Sequence, residues 1–209
     1  MEEDENLDIY PCKVILVGDS GVGKTSIIGR FLNRFSETEN PTVGASYSKK
    51  VQIIDNYSLS FDIWDTAGQE QFRAVNVIFY KDASICIMVY DITKPETFEN
   101  IKSFWHKTVI ANGDEDIIYG VVGNKIDLFE EEKVDEKEVK EFCNTIDATL
   151  HTASAIENKN IDDIFRDLGK KFINSNKFKQ LISQNTANKK QKIELNDKIK
   201  KNTSKKKCC

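Results

Sequence analysis

Residues 18–25 read Gly18-Asp19-Ser20-Gly21-Val22-Gly23-Lys24-Thr25, which fits the pattern G-x-x-x-x-G-K-S/T at every fixed position. A short apolar run, Lys13–Val17, precedes this segment, and apolar residues at helical spacing follow it from Ser26 onward. A strand, a glycine-rich loop and a helix in this order form a cradle for phosphate, because backbone N–H groups can point inward and the helix N-terminus is positive. The pattern predicts that Lys24 reaches the β- and γ-phosphates and that the Thr25 hydroxyl binds Mg²⁺. An ordinary glycine turn that opens a helix is the alternative interpretation.

Charge is divided unevenly along the chain. The 209 residues carry a formal net charge of −4, but residues 176–209 hold eleven lysines against two acidic residues and so carry +9, which leaves −13 for the rest. An acidic body with a basic tail predicts a tail that meets a negatively charged surface. We expect one domain over residues 12–175, flanked by an acidic disordered segment, 1–11, and a disordered basic tail, 176–209.

The five cysteines predict neither a zinc site nor a disulfide scaffold. None lies in a C-x-x-C pair or at another metal-ligand spacing, so a reducing compartment is expected. The acidic N-terminus lacks the charge pattern of a signal peptide, and no apolar stretch is long enough to span a bilayer. A soluble protein is therefore expected unless a group is attached to it.

Apolar runs of strand length alternate with segments of helical periodicity. Ser48–Ile54 and Leu59–Trp64 flank Asp55–Ser58 in the manner of an antiparallel hairpin. Helical segments separate the later strands. The pattern predicts an α/β fold, with a mostly parallel six-stranded sheet, one antiparallel edge strand and helices on both faces. Ligands of such sheets bind at the carboxyl ends of the strands, where the motifs fall.

A second motif, Asp65-Thr66-Ala67-Gly68-Gln69, ends the hairpin. Asp65 closes a strand, and its carboxylate can hold Mg²⁺ through a water molecule, opposite the glycine-rich loop. The Gly68 N–H can turn toward a γ-phosphate, and Gln69 can orient an attacking water. Taken alone, the motif is also compatible with a polar turn.

A third motif, Asn124-Lys125-Ile126-Asp127, follows a later strand. Asp127 can accept two hydrogen bonds from a purine with N1–H and a 2-amino group, which guanine has and adenine lacks. Adenine would leave the carboxylate unpaired, so discrimination should be sharp. Ser154-Ala155, at the end of the next strand, are expected to bring a backbone N–H near guanine O6. A strand-end turn with a chance Asn-Lys pair is the alternative.

With these motifs in place, the chain resembles the Ras superfamily of small GTPases and, within it, the Rab family. The resemblance covers about residues 12–173, and four further segments typical of Rabs carry it: Phe61–Trp64, Gln71–Arg73, Phe79–Ala83 and Met88–Thr93. It implies the small G domain of the P-loop NTPase fold. Cys208 and Cys209, which follow three lysines, resemble the double prenylation site of Rabs rather than a C-a-a-X box.

The resemblance assigns a role to each matching position. It implies a nucleotide-binding set of Asp19, Ser20, Gly21, Val22, Gly23, Lys24, Thr25, Ser26, Phe35, Thr42, Gly68, Asn124, Lys125, Asp127, Ser154, Ala155 and Ile156. It implies the metal ligands Thr25, Thr42 and Asp65, and catalytic roles for Gln69, Lys24 and Thr42. It implies an effector surface of Tyr47, Trp64 and Phe79, for which core packing is the alternative.

Among the several departures from the usual Rab pattern, two fall on residues of the predicted site. Tyr47 stands where phenylalanine is usual, and Ile156 replaces the usual lysine after Ser154-Ala155, which removes packing over the base. Neither departure removes a catalytic group. They leave the Rab subfamily, and so the organelle, open.

The implied function is a GTP/GDP switch that hydrolyses GTP to GDP and phosphate, with Mg²⁺ as cofactor. Arg30 and Arg34 lie on or near the first helix and Arg73 lies beyond Gln69, so none is placed as an arginine finger in cis. We expect slow hydrolysis, raised roughly 10³–10⁵-fold by an activating protein in trans. The loops around residues 36–46 and 68–78 are expected to be ordered by the γ-phosphate and to relax on its loss.

The expected partners are an exchange factor, a GTPase-activating protein, a GDP-dissociation inhibitor, an escort protein and vesicle effectors. The expected location is the cytoplasmic face of an intracellular membrane, with cycling through the cytosol, where a monomer regulates vesicle-mediated membrane and protein transport. One lipid chain binds only marginally, so two geranylgeranyl groups, or one together with Lys205–Lys207, are needed.

Two other functions are compatible with parts of the sequence. A nucleotide-locked scaffold would bind GTP or GDP but barely hydrolyse it, and the presence of Gln69 argues against this. A nucleic-acid-associated protein would use the lysine tail and would bind in a strongly salt-dependent way. The terminal cysteine pair argues against that function, so no nucleic acid is expected.

Overall fold

The described residues form six strands, which are β1 (Ile9–Val17), β2 (Ala45–Ile54), β3 (Tyr57–Thr66), β4 (Ile85–Asp91), β5 (Ile118–Asn124) and β6 (Thr149–Ala153). The structure is a computed structural model that describes residues 8–36, 42, 45–66 and 77–187. The strands form one sheet in the order β2-β3-β1-β4-β5-β6. All neighbours pair in parallel except β2 and β3, which are antiparallel. The predicted α/β sheet with one antiparallel edge strand is thus confirmed.

Within the first 173 residues, the described part of the chain contains the α-helices α1 (Lys24–Phe31), α2 (Pro95–Asn100), α3 (His106–Asn112), α4 (Glu136–Thr145) and α5 (Ile161–Ile173). A π-helical segment, Ile101–Trp105, joins α2 to α3, and short 3₁₀ segments span Val77–Phe79 and Ile126–Glu131. The chain splits into two compact units, and the boundary between them lies between Phe172 and Ile173. In the part of the chain that the structure describes, no helix has the length and apolar character needed to cross a bilayer.

Local sequence signals account for where the helices begin. The Asp135 side chain accepts a hydrogen bond from the backbone N–H of Lys137 at 2.8 Å and so caps α4. Pro95 occupies the start of α2, where no N–H is needed. The apolar stripe that follows is buried throughout, at Phe98, Ile101, Trp105 and Val109.

The sheet has a core on each face, because successive strand residues point to opposite sides. Ile15 and Val17 pack with residues of α2, the π-helical segment and α4. On the other face, the ring of Phe31 in α1 stacks on Phe165 in α5, with 3.6 Å between centroids. Both rings meet Phe61 of β3 edge-on. Helices therefore cover both faces, as predicted.

Two predicted boundaries at the edge of the sheet were wrong. β1 begins at Ile9, which pairs with Ser58 of β3, so residues 9–11 belong to the sheet rather than to a disordered segment. The long neighbouring strand offers backbone partners that composition does not reveal. The hairpin turn consists of Asp55 and Asn56 alone, with Asp55 at φ 51°, and is shorter than the predicted turn over residues 55–58.

In the second unit, residues 176–187 are helical. This corrects the prediction of disorder from residue 176 onward. A polar segment can still form a helix, because lysine, glutamine and leucine have good helix propensity and a helix satisfies its backbone hydrogen bonds internally. The remaining predicted disorder, over residues 1–7 and 188–209, lies outside the described residues.

The stacked phenylalanines provide a test of the fold. We expect Phe165→Ala to lower the free energy of unfolding by about 3–5 kcal/mol, because Phe165 is buried against two rings and its removal leaves a cavity. Phe129→Ala is the matched control, since Phe129 is 68% exposed and should cost less than about 0.5 kcal/mol. Urea unfolding followed by circular dichroism measures both; equal losses would contradict the packing described.

Candidate functional site

The glycine-rich loop joins β1 to α1 at the carboxyl edge of the sheet. Gly18 and Gly23 have φ angles of 141° and 97°, which side chains other than glycine rarely adopt. A Cβ atom at Gly18 would collide with the carbonyl oxygen of Val89, and one at Gly23 with the Asn124 side chain. Close packing therefore requires the two glycines that the motif fixes.

Lys24, the first residue of α1, points its ammonium group into this loop. Its Nζ donates to the carbonyl oxygens of Gly18 and Asp19, both at 2.8 Å. Burial lowers the pKa of Lys24 to about 8, although the charges of Asp65 and Asp19 raise it. A phosphate at this loop would stabilise the charged form of the ammonium, so the group suits an anionic ligand.

The three predicted metal ligands lie together beside Lys24. Thr25 Oγ1 donates to Asp65 Oδ2 at 2.6 Å and is 2.9 Å from Thr42 Oγ1. Thr42 Oγ1 is 3.4 Å from the same carboxylate oxygen. Two hydroxyls and a carboxylate are hard oxygen donors of the kind that Mg²⁺ accepts, so these residues fit that ion. Their action as ligands remains a prediction.

The Asn124 side chain connects two loops at the end of β5. Its Nδ2 donates to the carbonyl oxygen of Val22 at 2.8 Å, and its Oδ1 accepts from the backbone N–H of Ala155 at 3.3 Å. Asn124 is 2% exposed. Asn124 thus holds the glycine-rich loop and the loop after β6 in fixed positions relative to β5.

Lys125 is held by an ion pair at the end of β4. It has a left-handed φ of 72°, and its Nζ lies 2.6 Å from Asp91 Oδ2. The other carboxylate oxygen of Asp91 accepts from the backbone N–H and the hydroxyl of Thr93. Burial raises the pKa of Asp91, but the hydrogen bonds from Lys125 and Thr93 outweigh it and keep that pKa below its usual value.

Asp127, the predicted base-selecting carboxylate, is held by the loop after β6. Ser154 Oγ donates to Asp127 Oδ1 at 2.5 Å, and the same hydroxyl accepts from the backbone N–H of Glu157 at 3.0 Å. Ser154 is fully buried, whereas Asp127 is half-buried. The hydroxyl orients the carboxylate, a role that was not predicted for Ser154.

Asp19 anchors the glycine-rich loop to the helical segment after β4. Asn100 Nδ2 donates to Asp19 Oδ2 at 2.6 Å, and Trp105 Nε1 donates to Oδ1 at 2.8 Å. Asn100 ends α2 and Trp105 ends the π-helical segment, a type of turn that occurs frequently at functional sites. Both polar groups therefore face the loop from one helical stretch.

Phe35 and Ile156 both contact the Arg30 guanidinium. The Arg30 guanidinium is 3.5 Å from the centroid of the Phe35 ring. It also donates to the carbonyl oxygens of Ala155 and Ile156. The Ile156 side chain itself is 61% exposed.

The predicted effector residues form one aromatic cluster. The rings of Tyr47 and Trp64 are 5.3 Å apart, and those of Trp64 and Phe79 are 4.8 Å apart. Tyr47 is 52% exposed, and the other two are half-buried against the core. The cluster reaches the surface at Tyr47, while Trp64 and Phe79 also pack against the core. Recognition of the cluster by effectors remains a prediction.

The other predicted contacts are distributed as follows. Ser20 and Gly21 are exposed in the glycine-rich loop, Val22 is buried there, and Ser26 lies half-buried in α1. Gly68, Gln69 and the lipidation pair, Cys208 and Cys209, lie outside the described residues.

Sequence reasoning missed four residues that hold the site together: Arg30, Asp91, Asn100 and Trp105. Each acts through a partner far along the chain, as with the 86 residues between Asp19 and Trp105. Only the position of Asp91 at a strand end, a few residues before a predicted helix, offered a local signal.

Comparison with known proteins agrees with this geometry. The model of the Ras family matches residues 13–174. The chain is 41% identical to Ras-related protein Rab-22A of Homo sapiens over 160 residues, which is 76% of this chain and 82% of that protein. It is 35% identical to Ras-related protein Rab-7a of Paramecium octaurelia over 181 residues, 84% of this chain and 87% of that protein.

Ras-related protein Rab-31 of Rattus norvegicus is 38% identical over 163 residues, 78% of this chain and 83% of that protein. The chain belongs to the Ras family. Within it, the chain is a Rab-type small GTPase, an enzyme that hydrolyses GTP, which confirms the resemblance drawn from the motifs.

Asn124 provides a test of how the site is assembled. We expect Asn124→Ala to lower the free energy of unfolding by about 2 kcal/mol or more, because it leaves two backbone groups without their partner in a buried setting. Asn112→Ala is the control, since Asn112 is exposed at the end of α3 and bonds only within the helix. Equal unfolding midpoints for the two variants in urea would contradict the bracing role.

Proposed function

We propose that this chain binds GTP and GDP together with Mg²⁺, and that it acts as a switch in vesicle-mediated transport by hydrolysing GTP. The strongest support is the convergence of the Thr25, Thr42 and Asp65 oxygens beside the Lys24 ammonium. This group lies at the same sheet edge as the Asp127 carboxylate. These contacts support the proposal that phosphate, metal and base sites lie along one nucleotide.

The phosphate end is assigned to the glycine-rich loop and α1. Lys24 would exchange its two carbonyl contacts for phosphate oxygens, and loop N–H groups would bind the same anion. Thr25, Thr42 and Asp65 would hold Mg²⁺. The ion supplies charge neutralisation for the phosphates.

Hydrolysis is assigned to water held by Gln69, with the Gly68 N–H on the γ-phosphate. Neither nearby arginine of the described chain is aimed at the phosphates: Arg30 binds the loop after β6, and Arg34 donates to Ser48. This arrangement supports slow intrinsic turnover that an activating protein would accelerate in trans.

The base end is assigned to Asp127, with Ser154, Ala155 and Asn124 around it. The Asp127 carboxylate would accept from N1–H and the 2-amino group of guanine. The Ser154 hydroxyl holds that carboxylate in place, so it pays little ordering entropy when the base arrives.

The switch would act through surfaces that respond to the γ-phosphate. Thr42 touches both Thr25 and Asp65, so loss of the γ-phosphate and the ion would release the segment around it. Effectors would read the exposed cluster of Tyr47, Trp64 and Phe79. An exchange factor, an activating protein, a GDP-dissociation inhibitor and an escort protein would complete the cycle, and geranylgeranyl groups on Cys208 and Cys209 would anchor the monomer to the cytoplasmic face of an intracellular membrane.

Base selectivity tests the nucleotide assignment. We expect Asp127→Asn to weaken GDP binding on the order of 10²- to 10⁴-fold, because the amide presents a donor where guanine also has donors. Xanthosine diphosphate should bind this variant better than GDP does, since its 2-carbonyl accepts from the amide. Titration calorimetry measures both nucleotides. Asp147→Asn, on an exposed loop, should leave GDP affinity unchanged; ADP binding as tight as GDP binding to the wild type would contradict the assignment.

Single-turnover phosphate release separates the switch from the nucleotide-locked scaffold. We expect Gln69→Leu to slow GTP hydrolysis roughly 10- to 100-fold, since the attacking water loses its position, while GDP affinity stays within about twofold. Gln180→Leu, at an exposed position of the second unit, should hydrolyse GTP at the wild-type rate. A wild-type chain that releases no phosphate, with or without cell lysate, would instead support the scaffold.

Flotation with vesicles tests the membrane anchor. After treatment with a geranylgeranyl donor and the prenylating enzymes, the wild-type chain should float with vesicles containing anionic lipid, and a variant with serine at Cys208 and Cys209 should not. Replacing Lys205, Lys206 and Lys207 by glutamine should weaken flotation of the lipidated chain by on the order of 1 kcal/mol per lysine. Equal flotation of the wild-type and serine variants would disprove lipid anchoring.

A further inference from the structure

Arg30 connects two parts of the chain at the base end of the site. We propose that Arg30 is a positioning residue for the guanine base, which holds the Ala155–Ile156 backbone and the Phe35 ring in one arrangement and thereby slows nucleotide release. The inference rests on the proposed nucleotide assignment and adds a determinant of the rate at which both nucleotides leave.

The guanidinium binds two successive carbonyl groups. Arg30 Nε donates to the Ala155 carbonyl oxygen at 2.5 Å, and Nη2 donates to the Ile156 carbonyl oxygen at 2.6 Å. Ala155 and Ile156 lie 125 and 126 positions after Arg30 in the sequence. A planar fork of donors matches two neighbouring acceptors, and hydrogen bonds from a charged donor are about twice as strong as neutral ones.

The same guanidinium lies over the Phe35 ring, at 3.5 Å from its centroid. Contacts between a cation and an aromatic face are attractive and orient the ring. Phe35 lies outside regular secondary structure, a few residues after the end of α1. Arg30 therefore orders a ring that has no strand or helix to fix its backbone.

Arg30 completes the bonding of the loop after β6. The Ala155 N–H is taken by Asn124, and its carbonyl oxygen by Arg30. The Ile156 side chain is 61% exposed and carries no charge, so it cannot itself fasten the loop by a polar contact. Asn124 thus holds the Ala155 N–H, and Arg30 holds the Ala155 carbonyl oxygen, in the loop that is proposed to present Ala155 to the base.

One helix carries both ends of this arrangement. Lys24 and Thr25 open α1 at the phosphate end, and Arg30 lies in its last turn, roughly 9 Å further along the axis. The metal-ligand oxygens and Lys24 are held by other contacts, to Asp65, Gly18 and Asp19. Removing the Arg30 guanidinium should therefore loosen the base end and leave the phosphate end assembled.

The consequence is a specific kinetic pattern. Release of GDP and of GTP should accelerate by the same factor, since both nucleotides present the same base. The rate constant of single-turnover hydrolysis should stay within about twofold, because the reacting phosphate is held elsewhere. A residue that served stability alone would not separate these two rates.

The experiment measures dissociation of fluorescently labelled GDP and GTP after addition of excess unlabelled nucleotide. We expect Arg30→Met to raise both rates about tenfold or more, which corresponds to about 1.4 kcal/mol. Arg30→Lys should give an intermediate rate, because an ammonium group cannot make the planar two-carbonyl contact. Arg166→Met is the matched control: Arg166 is exposed on α5 and pairs with Asp163, so release should stay within twofold.

A double-mutant cycle with Phe35→Leu tests the stacking contact. If Arg30 acts through the ring, the two substitutions together should accelerate release less than the product of their separate effects. If the combined acceleration equals the product of the two separate effects, Arg30 does not act through the Phe35 ring, and that part of the proposal is wrong. Melting curves in saturating GDP check that each variant is folded, and if Arg30→Met does not fold, the Arg30→Lys rate decides alone.

Different results would contradict the positioning role of Arg30 and the binding of guanosine nucleotides. Unchanged release from folded Arg30→Met, or from Arg30→Lys where that variant decides, overturns the positioning role while tight GDP binding still stands. A wild-type chain that binds no guanosine nucleotide overturns the assignment on which the inference rests.

Discussion

The amide of Asn124 is the contact on which the site depends most. It holds the Val22 carbonyl oxygen on one side and the Ala155 N–H on the other, and it does so from the end of β5. Both partners are backbone groups in a buried setting, so water cannot replace the amide without cost. The parallel pairing of β1, β4, β5 and β6 brings the three segments to one edge, and the amide then links them.

The charged side chains at this edge of the sheet are stabilised in two different ways. Asp91 and Lys125 form a close pair in which each charge compensates the other, as buried charges require. The Lys24 ammonium donates instead to peptide carbonyls, and burial lowers its pKa to about 8 despite the charges of Asp65 and Asp19. The ion pair fixes Lys125 at the end of β4, whereas the Lys24 ammonium is bound by neutral carbonyl groups. The same sheet edge therefore contains both an ion pair and a cation that donates to neutral acceptors.

Two ends of the site are assembled by separate contacts and joined by α1. Asp65, Thr42 and Thr25 contact one another at the proposed phosphate end, while Arg30 binds the loop after β6 at the proposed base end. Asp19 adds a third link, to the π-helical segment through Trp105. Because these contacts share few residues, a change at one end need not disturb the other. This separation suits a protein whose nucleotide must be held tightly and still be exchanged.

The sequence by itself determined the order of strands and helices, the glycine-rich loop and the motifs of the site, because these depend on local requirements. A left-handed φ requires glycine, a phosphate cradle requires lysine and a hydroxyl, and buried strands require apolar runs. Only the tertiary structure decided which partners Arg30, Asp19 and Asp91 take, and that residues 9–11 join the sheet. A polar side chain can satisfy its hydrogen bonds in many ways, and the choice depends on which distant backbone groups the fold brings within about 3 Å.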